Sequence, residues 1–232
     1  YTRRGVPSAN AKYDNSTAIL VGDLLFGTAS DIIADLGPEA VKIQSQTFIR
    51  LCSGQIRDDR PCPPSEDPHG YYLGVLADKT GVLIATAARY GALLSGCSRE
   101  VIDVLIEYGE RIGIAFQLAD DLIDISSEAD VLGKAPGTDI REGKRTLPII
   151  YALASTDPAD ARLQELLRQL DPSDDHVAEA LDLLRGHPAM DRAQAETLEM
   201  ALAAQAVLDP LPDGEVKAAL AHLALRVVQR NQ

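Results

Sequence analysis

An all-α helical bundle in a single domain is the fold class this sequence predicts, and three observations predict it. Aromatic residues make up 4% of the chain and tryptophan is absent, while 46% of residues are hydrophobic. A core of that size must be built from Ala, Leu, Ile and Val, which together favour helices over aromatic-rich strands. Apolar residues recur at steps of three and four along most of the chain, and no stretch shows the period-two alternation of a half-buried strand. The length of 232 residues suits one large helical unit.

The first clear helix follows Asp14-Asn15-Ser16, whose short polar side chains suit an N-cap, and runs towards Gly37. Gly37-Pro38 stops it, and Pro38 at a first-turn position starts a second helix that reaches about Ile56. Residues 57–68 carry four prolines and read as a loop. A long helical pattern covers residues 69–94, and Ser95-Gly96 closes it. Ser98 caps the next helix, with Val101, Val104, Leu105, Tyr108, Ile112, Ala115, Phe116, Ala119 and Leu122 along one face. The pattern is lost over residues 126–145, which are rich in Gly and charge, and resumes at Thr146. From there it persists almost to Gln232, with turns near Asp171-Pro172, His187-Pro188 and residues 211–214.

Charge and reactive residues exclude several function classes. Thirty-five acidic against 22 basic side chains give a net charge of −13, which repels a phosphate backbone and argues against nucleic-acid binding. Cys52, Cys62 and Cys97 are an odd number without a CxxC pair, so neither a disulfide framework nor a zinc site is expected, and a reducing, cytoplasmic setting is. The four histidines stand singly, without HExxH spacing or an evident nucleophile partner. Charged residues interrupt the apolar runs before 18 residues, so no transmembrane segment is expected.

Four features carry chemistry. In Phe116-Gln117-Leu-Ala-Asp120-Asp121-Leu-Ile-Asp124, the 100° helical step puts Asp120 and Asp124 about 40° apart, with Asp121 and Gln117 on the same wall. Three carboxylates so crowded repel one another unless a cation lies between them, and all-oxygen ligation points to Mg²⁺. A solvated acidic face is the plain alternative. Second, Lys79-Thr80 sits within an apolar helix, where a lysine needs an anion; a core aspartate such as Asp23 would suffice. Third, Lys134, Arg141, Lys144 and Arg145 fall in the Gly-bounded segment after the aspartate helix, either a lid or an ordinary charged loop. Fourth, Arg3-Arg4 opens the chain. Carboxylates for Mg²⁺, cations for anions and an apolar gap together suit a diphosphate with a greasy tail, since an acidic protein binds an anion through bridging cations.

The run Phe116-Gln117-x-x-Asp120-Asp121-x-x-Asp124 resembles the second aspartate-rich motif of the trans-isoprenyl diphosphate synthases, the polyprenyl synthetase family. Lys79-Thr80, Gly133-Lys134 and Gly143-Lys144-x-Thr-Leu-Pro148 fall in that family's order and spacing, and Arg3-Arg4-Gly5, with Gly22-Asp23 further on, resembles the stretch after its first aspartate-rich motif. The resemblance covers nearly the whole chain, residues 1–232, as one domain. The family's first DDxxD motif is not in this sequence, and the expectation is that further helices precede Tyr1. The resemblance implies Mg²⁺ at Asp120, Asp121 and Asp124. It implies that Arg3, Lys79, Lys134 and Lys144 hold the allylic diphosphate and that Arg4 meets isopentenyl diphosphate. Thr80 and Gln117 would lie along the reacting carbons, making Lys79, Thr80 and Gln117 the catalytic set of a homodimeric prenyltransferase. A non-catalytic subunit of a heteromeric synthase and a class I terpene cyclase are the competing readings. The three aspartates speak against the first, and the absence of a mixed Asn/Ser/Thr–Glu metal motif against the second.

Overall fold

The structure is a computed structural model that describes the backbone of residues 2–3 and all of residues 6–126 and 136–229. Helices dominate: α1 (Ala9–Tyr13), α2 (Asn15–Ala34), α3 (Pro38–Asp58), α4 (Pro68–Leu76), α5 (Val82–Leu94) and α6 (Arg99–Ser126). They are followed by α7 (Thr138–Arg141), α8 (Leu147–Leu153), α9 (Ala161–Leu167), α10 (Asp174–Arg185), α11 (Pro188–Ala206) and α12 (Glu215–Arg226). The expected starts hold for clear reasons. Asp14 accepts the Thr17 N–H at 2.9 Å, Asp67 accepts that of Gly70 at 2.7 Å, and Pro38 and Pro188 occupy first-turn positions. Gly37 takes φ +94°, open only to a residue without a side chain at low cost, and turns the chain from α2 into α3.

The 28-residue α6 is the axis of the bundle. Its Leu118, Leu122 and Ile125 sit in one core with Leu147 and Ile149 of α8, Leu166 of α9, Val177 and Leu184 of α10 and Ala193 of α11. Further up, Tyr108 and Ile112 join Ala204, Leu208 and Ala224 in a second core. Of the predicted stripe, Tyr108, Ile112, Ala115, Ala119 and Leu122 are buried and Val101, Val104, Leu105 and Phe116 half-buried. Leu118 and Ile125, outside it, are buried because α6 is covered on more than one side.

Three details differ from the sequence reading. A two-residue antiparallel pair, β1 (Thr2–Arg3) with β2 (Val6–Pro7), precedes α1; strands this short carry no alternation to detect. The helix expected over 69–94 is split by a π-helical turn at Ala77–Gly81. The region after Thr146 is broken more often than its turn residues suggested, with a 3₁₀ turn at Pro158–Asp160.

By length and composition α2 is apolar enough to cross a membrane, the one such helix among the described residues. Ile19, Leu20, Leu24 and Leu25 each exceed 60% exposure along it, yet Asp23 lies at its middle and Phe26 packs on Phe48 of α3 with ring centroids 4.4 Å apart. Such a helix presents an apolar face that needs cover.

Candidate active site

The π turn is where the site is made. Squeezing an extra residue into a helical turn re-aims the side chains that follow, and such turns concentrate at functional positions. Here Asp78, Lys79 and Thr80 fan out to four partners. Asp78 accepts from Arg50 at 2.8 Å and from Arg57 at 3.4 Å, both on α3, and Arg50 continues to Glu110 of α6 at 3.0 Å. Lys79 donates to Asp58 at 2.8 Å. Thr80 donates to the side-chain Oε1 of Gln117 at 3.3 Å. Gly54 allows α3 to come this close, because a Cβ there would lie 2.7 Å from the Lys79 nitrogen.

Asp58, at the last position of α3, binds a second cation. Lys144 donates to its Oδ2 at 2.6 Å and to its carbonyl oxygen at 3.0 Å, and reaches Asp59 at 3.4 Å. Burial works to raise the Asp58 pKa, but the bonds from Lys144 and Lys79 prevail and hold it below the usual carboxylate value. Burial opposes the charge on Lys144 too, and the Asp58 carboxylate more than offsets it, so its pKa is raised. The partner proposed from sequence for Lys79, Asp23, is exposed on α2; Asp58 has that place instead.

From Thr80 a chain of hydrogen bonds runs into α6. The Gln117 amide nitrogen donates to Asp121 Oδ1 at 3.0 Å, and the Tyr72 hydroxyl of α4 donates to Asp121 Oδ2. The three aspartates have different surroundings. Asp121 is 7% exposed, Asp124 is 1% exposed and accepts the Asp139 N–H at 3.0 Å, and Asp120 is half-buried. Asp124 therefore ties α6 to the start of α7.

Burial, with the charges of Asp139 and Asp120 adding to it, raises the Asp121 pKa to about 7 against the bonds from Tyr72 and Gln117. Between the ordinary value of 3.8 and 7 the folded chain holds a proton here that the unfolded chain has lost. Stability of the metal-free protein therefore falls across that window as pH rises and levels off above it. Asp121→Asn removes the liability. We expect the variant to melt above the parent at about pH 8 in EDTA and level with it near pH 4; equal melting at both would contradict the assignment.

Among the described residues no group of three or more His, Cys, Asp and Glu is placed to hold a metal ion by itself. The donor chemistry nonetheless fits Mg²⁺, which takes hard oxygens and is commonly held by one or two carboxylates together with substrate phosphates. A buried carboxylate that is costly to ionise is one that a divalent cation would relieve.

Of the residues singled out in the sequence, Lys79, Thr80, Gln117, Asp121 and Lys144 come together, with Asp120 and Asp124 on the same helix. Arg3, Arg4 and Lys134 lie outside the described residues, Arg3 as to its side chain. Arg141 instead pairs with Asp174, and Arg145 donates to the Leu167 carbonyl. Sequence reasoning missed Asp58 and Tyr72. The charged run Arg57-Asp58-Asp59-Arg60 could have drawn attention to the first; nothing marked Tyr72 among its apolar neighbours.

The sequence pattern of the polyprenyl synthetase family matches residues 1–184. The chain is 47% identical to a nonaprenyl diphosphate synthase of Mycobacterium tuberculosis over 229 residues, 99% of this chain and 68% of that one. It is 40% identical to a dimethylallyltranstransferase of the same organism, over 95% of this chain and 66% of that one. Among solved structures, the geranylgeranyl pyrophosphate synthase of Corynebacterium glutamicum in complex with calcium and isoprenyl diphosphate matches with a TM-score of 0.85. That match is 42% identical and covers 96% of this chain and 69% of the other. A polyprenyl synthase of Caulobacter crescentus, also with calcium and isoprenyl diphosphate, matches at 0.90 and 30% identity over 99% of this chain and 71% of the other. The chain spans about two thirds of the length of these relatives.

Proposed function

The chain belongs to the polyprenyl synthetase family, and on that premise we propose that it is a Mg²⁺-dependent prenyltransferase that lengthens an allylic diphosphate with isopentenyl diphosphate. One observation carries the reading: two lysines from separate elements converge beside a polar relay that ends on a buried aspartate of the DDxxD run.

Each residue then has a physical task. Lys79 and Lys144 hold the diphosphate of the allylic substrate and stabilise the negative charge that gathers on it as the C–O bond breaks. Mg²⁺, held by Asp120, Asp121 and Asp124 together with the diphosphate, would supply further charge neutralisation. The Thr80 and Gln117 side chains turn their dipoles towards the carbocation left behind. The double bond of isopentenyl diphosphate attacks that cation, and loss of a proton to diphosphate completes the product. Arg3 and Lys134 would join the allylic diphosphate and Arg4 the isopentenyl one. Water must be kept from the cation, which it would quench, so the reaction needs an apolar enclosure for the prenyl chain.

We read the assembly as a homodimer, supported by the exposed apolar face of α2, and the setting as cytoplasmic, supported by the exposed thiols of Cys52 and Cys97. The test is incubation of the protein with Mg²⁺, radiolabelled isopentenyl diphosphate and geranyl or farnesyl diphosphate, with products resolved by chain length. Labelled, elongated product that disappears in EDTA is expected. Absence of product from folded protein of verified mass would overturn the reading and favour a non-catalytic subunit.

A further inference from the structure

We propose that Asp58 is a positioning residue, a fixed counter-charge that gathers the Lys79 and Lys144 ammonium groups into one diphosphate-binding pair before substrate arrives. The inference rests on the role just given to those two lysines.

The two cations come from distant parts of the chain. Lys79 rides on the π turn between α4 and α5, whereas Lys144 follows Gly143, which sits at φ +68°, in the turn between α7 and α8. Both donate to the same oxygen, Asp58 Oδ2, at 2.8 and 2.6 Å, so their nitrogens can stand no further apart than those two distances together. Two ammonium groups that close repel strongly without an anion between them. Asp58 supplies the anion, and its place at the C-terminal end of α3 adds a helix-end carbonyl, which Lys144 also engages at 3.0 Å. The side chain is 18% exposed, so the contact is partly shielded from water.

The same geometry says which contact yields to substrate. Lys144 has three N–H donors, and it spends them on Asp58 Oδ2, the Asp58 carbonyl and, at 3.4 Å, on Asp59. The Asp59 side chain is 62% exposed and its bond is the longest of the three, so a phosphate oxygen takes that place at least cost. Lys79 shows one described bond, to Asp58, and keeps donors for phosphate. Asp58 thus stays in place as the diphosphate binds, while Asp59 gives way.

Two neighbouring aspartates are therefore expected to respond in opposite ways. Calorimetric titration of the full chain with inorganic diphosphate in the presence of Mg²⁺ separates them. Asp58→Asn keeps the shape but removes the charge, and is expected to weaken binding about tenfold. Asp59→Asn is expected to tighten it by about twofold. Asp58→Glu, which restores the carboxylate, should recover most of the loss, and the Lys144 ε-carbon NMR resonance should titrate lower in Asp58→Asn while the protein remains folded. A purely structural role for Asp58 would not shift that titration. Asp58→Ser provides a second uncharged variant should the amide not fold. Binding by the uncharged variants as tight as the parent's or tighter would overturn the proposal, because Asp58 would then be a competitor of the diphosphate. Lys79→Ala and Lys144→Ala keep the premise separate. If they lose affinity while Asp58→Asn does not, only the Asp58 role fails; if neither loses affinity, the lysine assignment itself fails.

Discussion

Lys79→Ala is expected to lower kcat/KM for the allylic diphosphate by about a thousandfold, close to 4 kcal/mol of transition-state stabilisation. The residue sits where the charge changes most. As the C–O bond ionises, negative charge builds on the departing diphosphate, and an ammonium already in place stabilises that state more than the bound substrate. Loss of the amine also leaves Asp58 with Lys144 alone, so the net positive charge that these three groups present to the incoming anion is gone. The fold has little at stake, because the side chain is 35% exposed and its bond joins surfaces already packed through Gly54. Circular dichroism should therefore match the parent, and the melting temperature should stay within a few degrees. Arginine is not expected to rescue, since a planar guanidinium cannot share one carboxylate oxygen with Lys144 in the same space. Turnover near that of the parent in Lys79→Ala would remove the lysine from the reaction and the diphosphate site with it.

What the sequence revealed and what it hid divide along physical lines. Part of the buried face of α6 was legible because 3.6-residue periodicity is imposed by burial, with Tyr108 and Ile112 in one core and Leu122 in the other. Leu118 and Ile125 were not, because α6 is covered on a second side as well. The aspartate run was legible because its spacing alone places three carboxylates on one wall. That Asp121 and Asp124 turn inwards while Asp120 stays half-buried was not legible, since their partners Tyr72 and Asp139 lie 49 and 15 residues away along the chain. The π turn left no trace in composition; one inserted residue changes where side chains aim without changing which residues are present. Asp58 was hidden for a similar reason. It stands in a charged run that reads as the start of a loop, but α3 continues through it, and its two lysines lie 21 and 86 residues further along. Partners at such separations are set by how helices stack, which no local pattern records.

The stacking itself rests on glycines, and Gly113→Ala is expected to damage both the fold and the site. The π turn and α5 lie against α6 backbone to backbone. A Cβ on Gly113 would fall 2.6 Å from the Gly81 Cα, and one on Gly109 would fall 2.6 Å from the Ala85 Cα. Neither neighbour is a flexible side-chain tip, so the helices themselves must part. Overpacking of that kind costs roughly 1–3 kcal/mol, which for a domain of this size lowers Tm by about 2–12 °C. The damage does not stop at stability. Gly81 closes the turn that carries Lys79 and Thr80, and Gln117 is one helical turn beyond Gly113. Moving α6 away by even a fraction of an ångström stretches the Thr80–Gln117 bond, already 3.3 Å long, beyond hydrogen-bonding range. Activity is therefore expected to fall about tenfold or more at temperatures where the variant is still folded. Gly91→Ala provides the contrast, because that glycine lies within α5 with nothing within 4 Å of the added carbon. Alanine there should stabilise the helix by about 0.5–1 kcal/mol through propensity alone. A Gly113→Ala protein that melted and turned over like the parent would mean that α6 does not rest on the π turn, and the geometry that brings Thr80 to Gln117 would have to be abandoned.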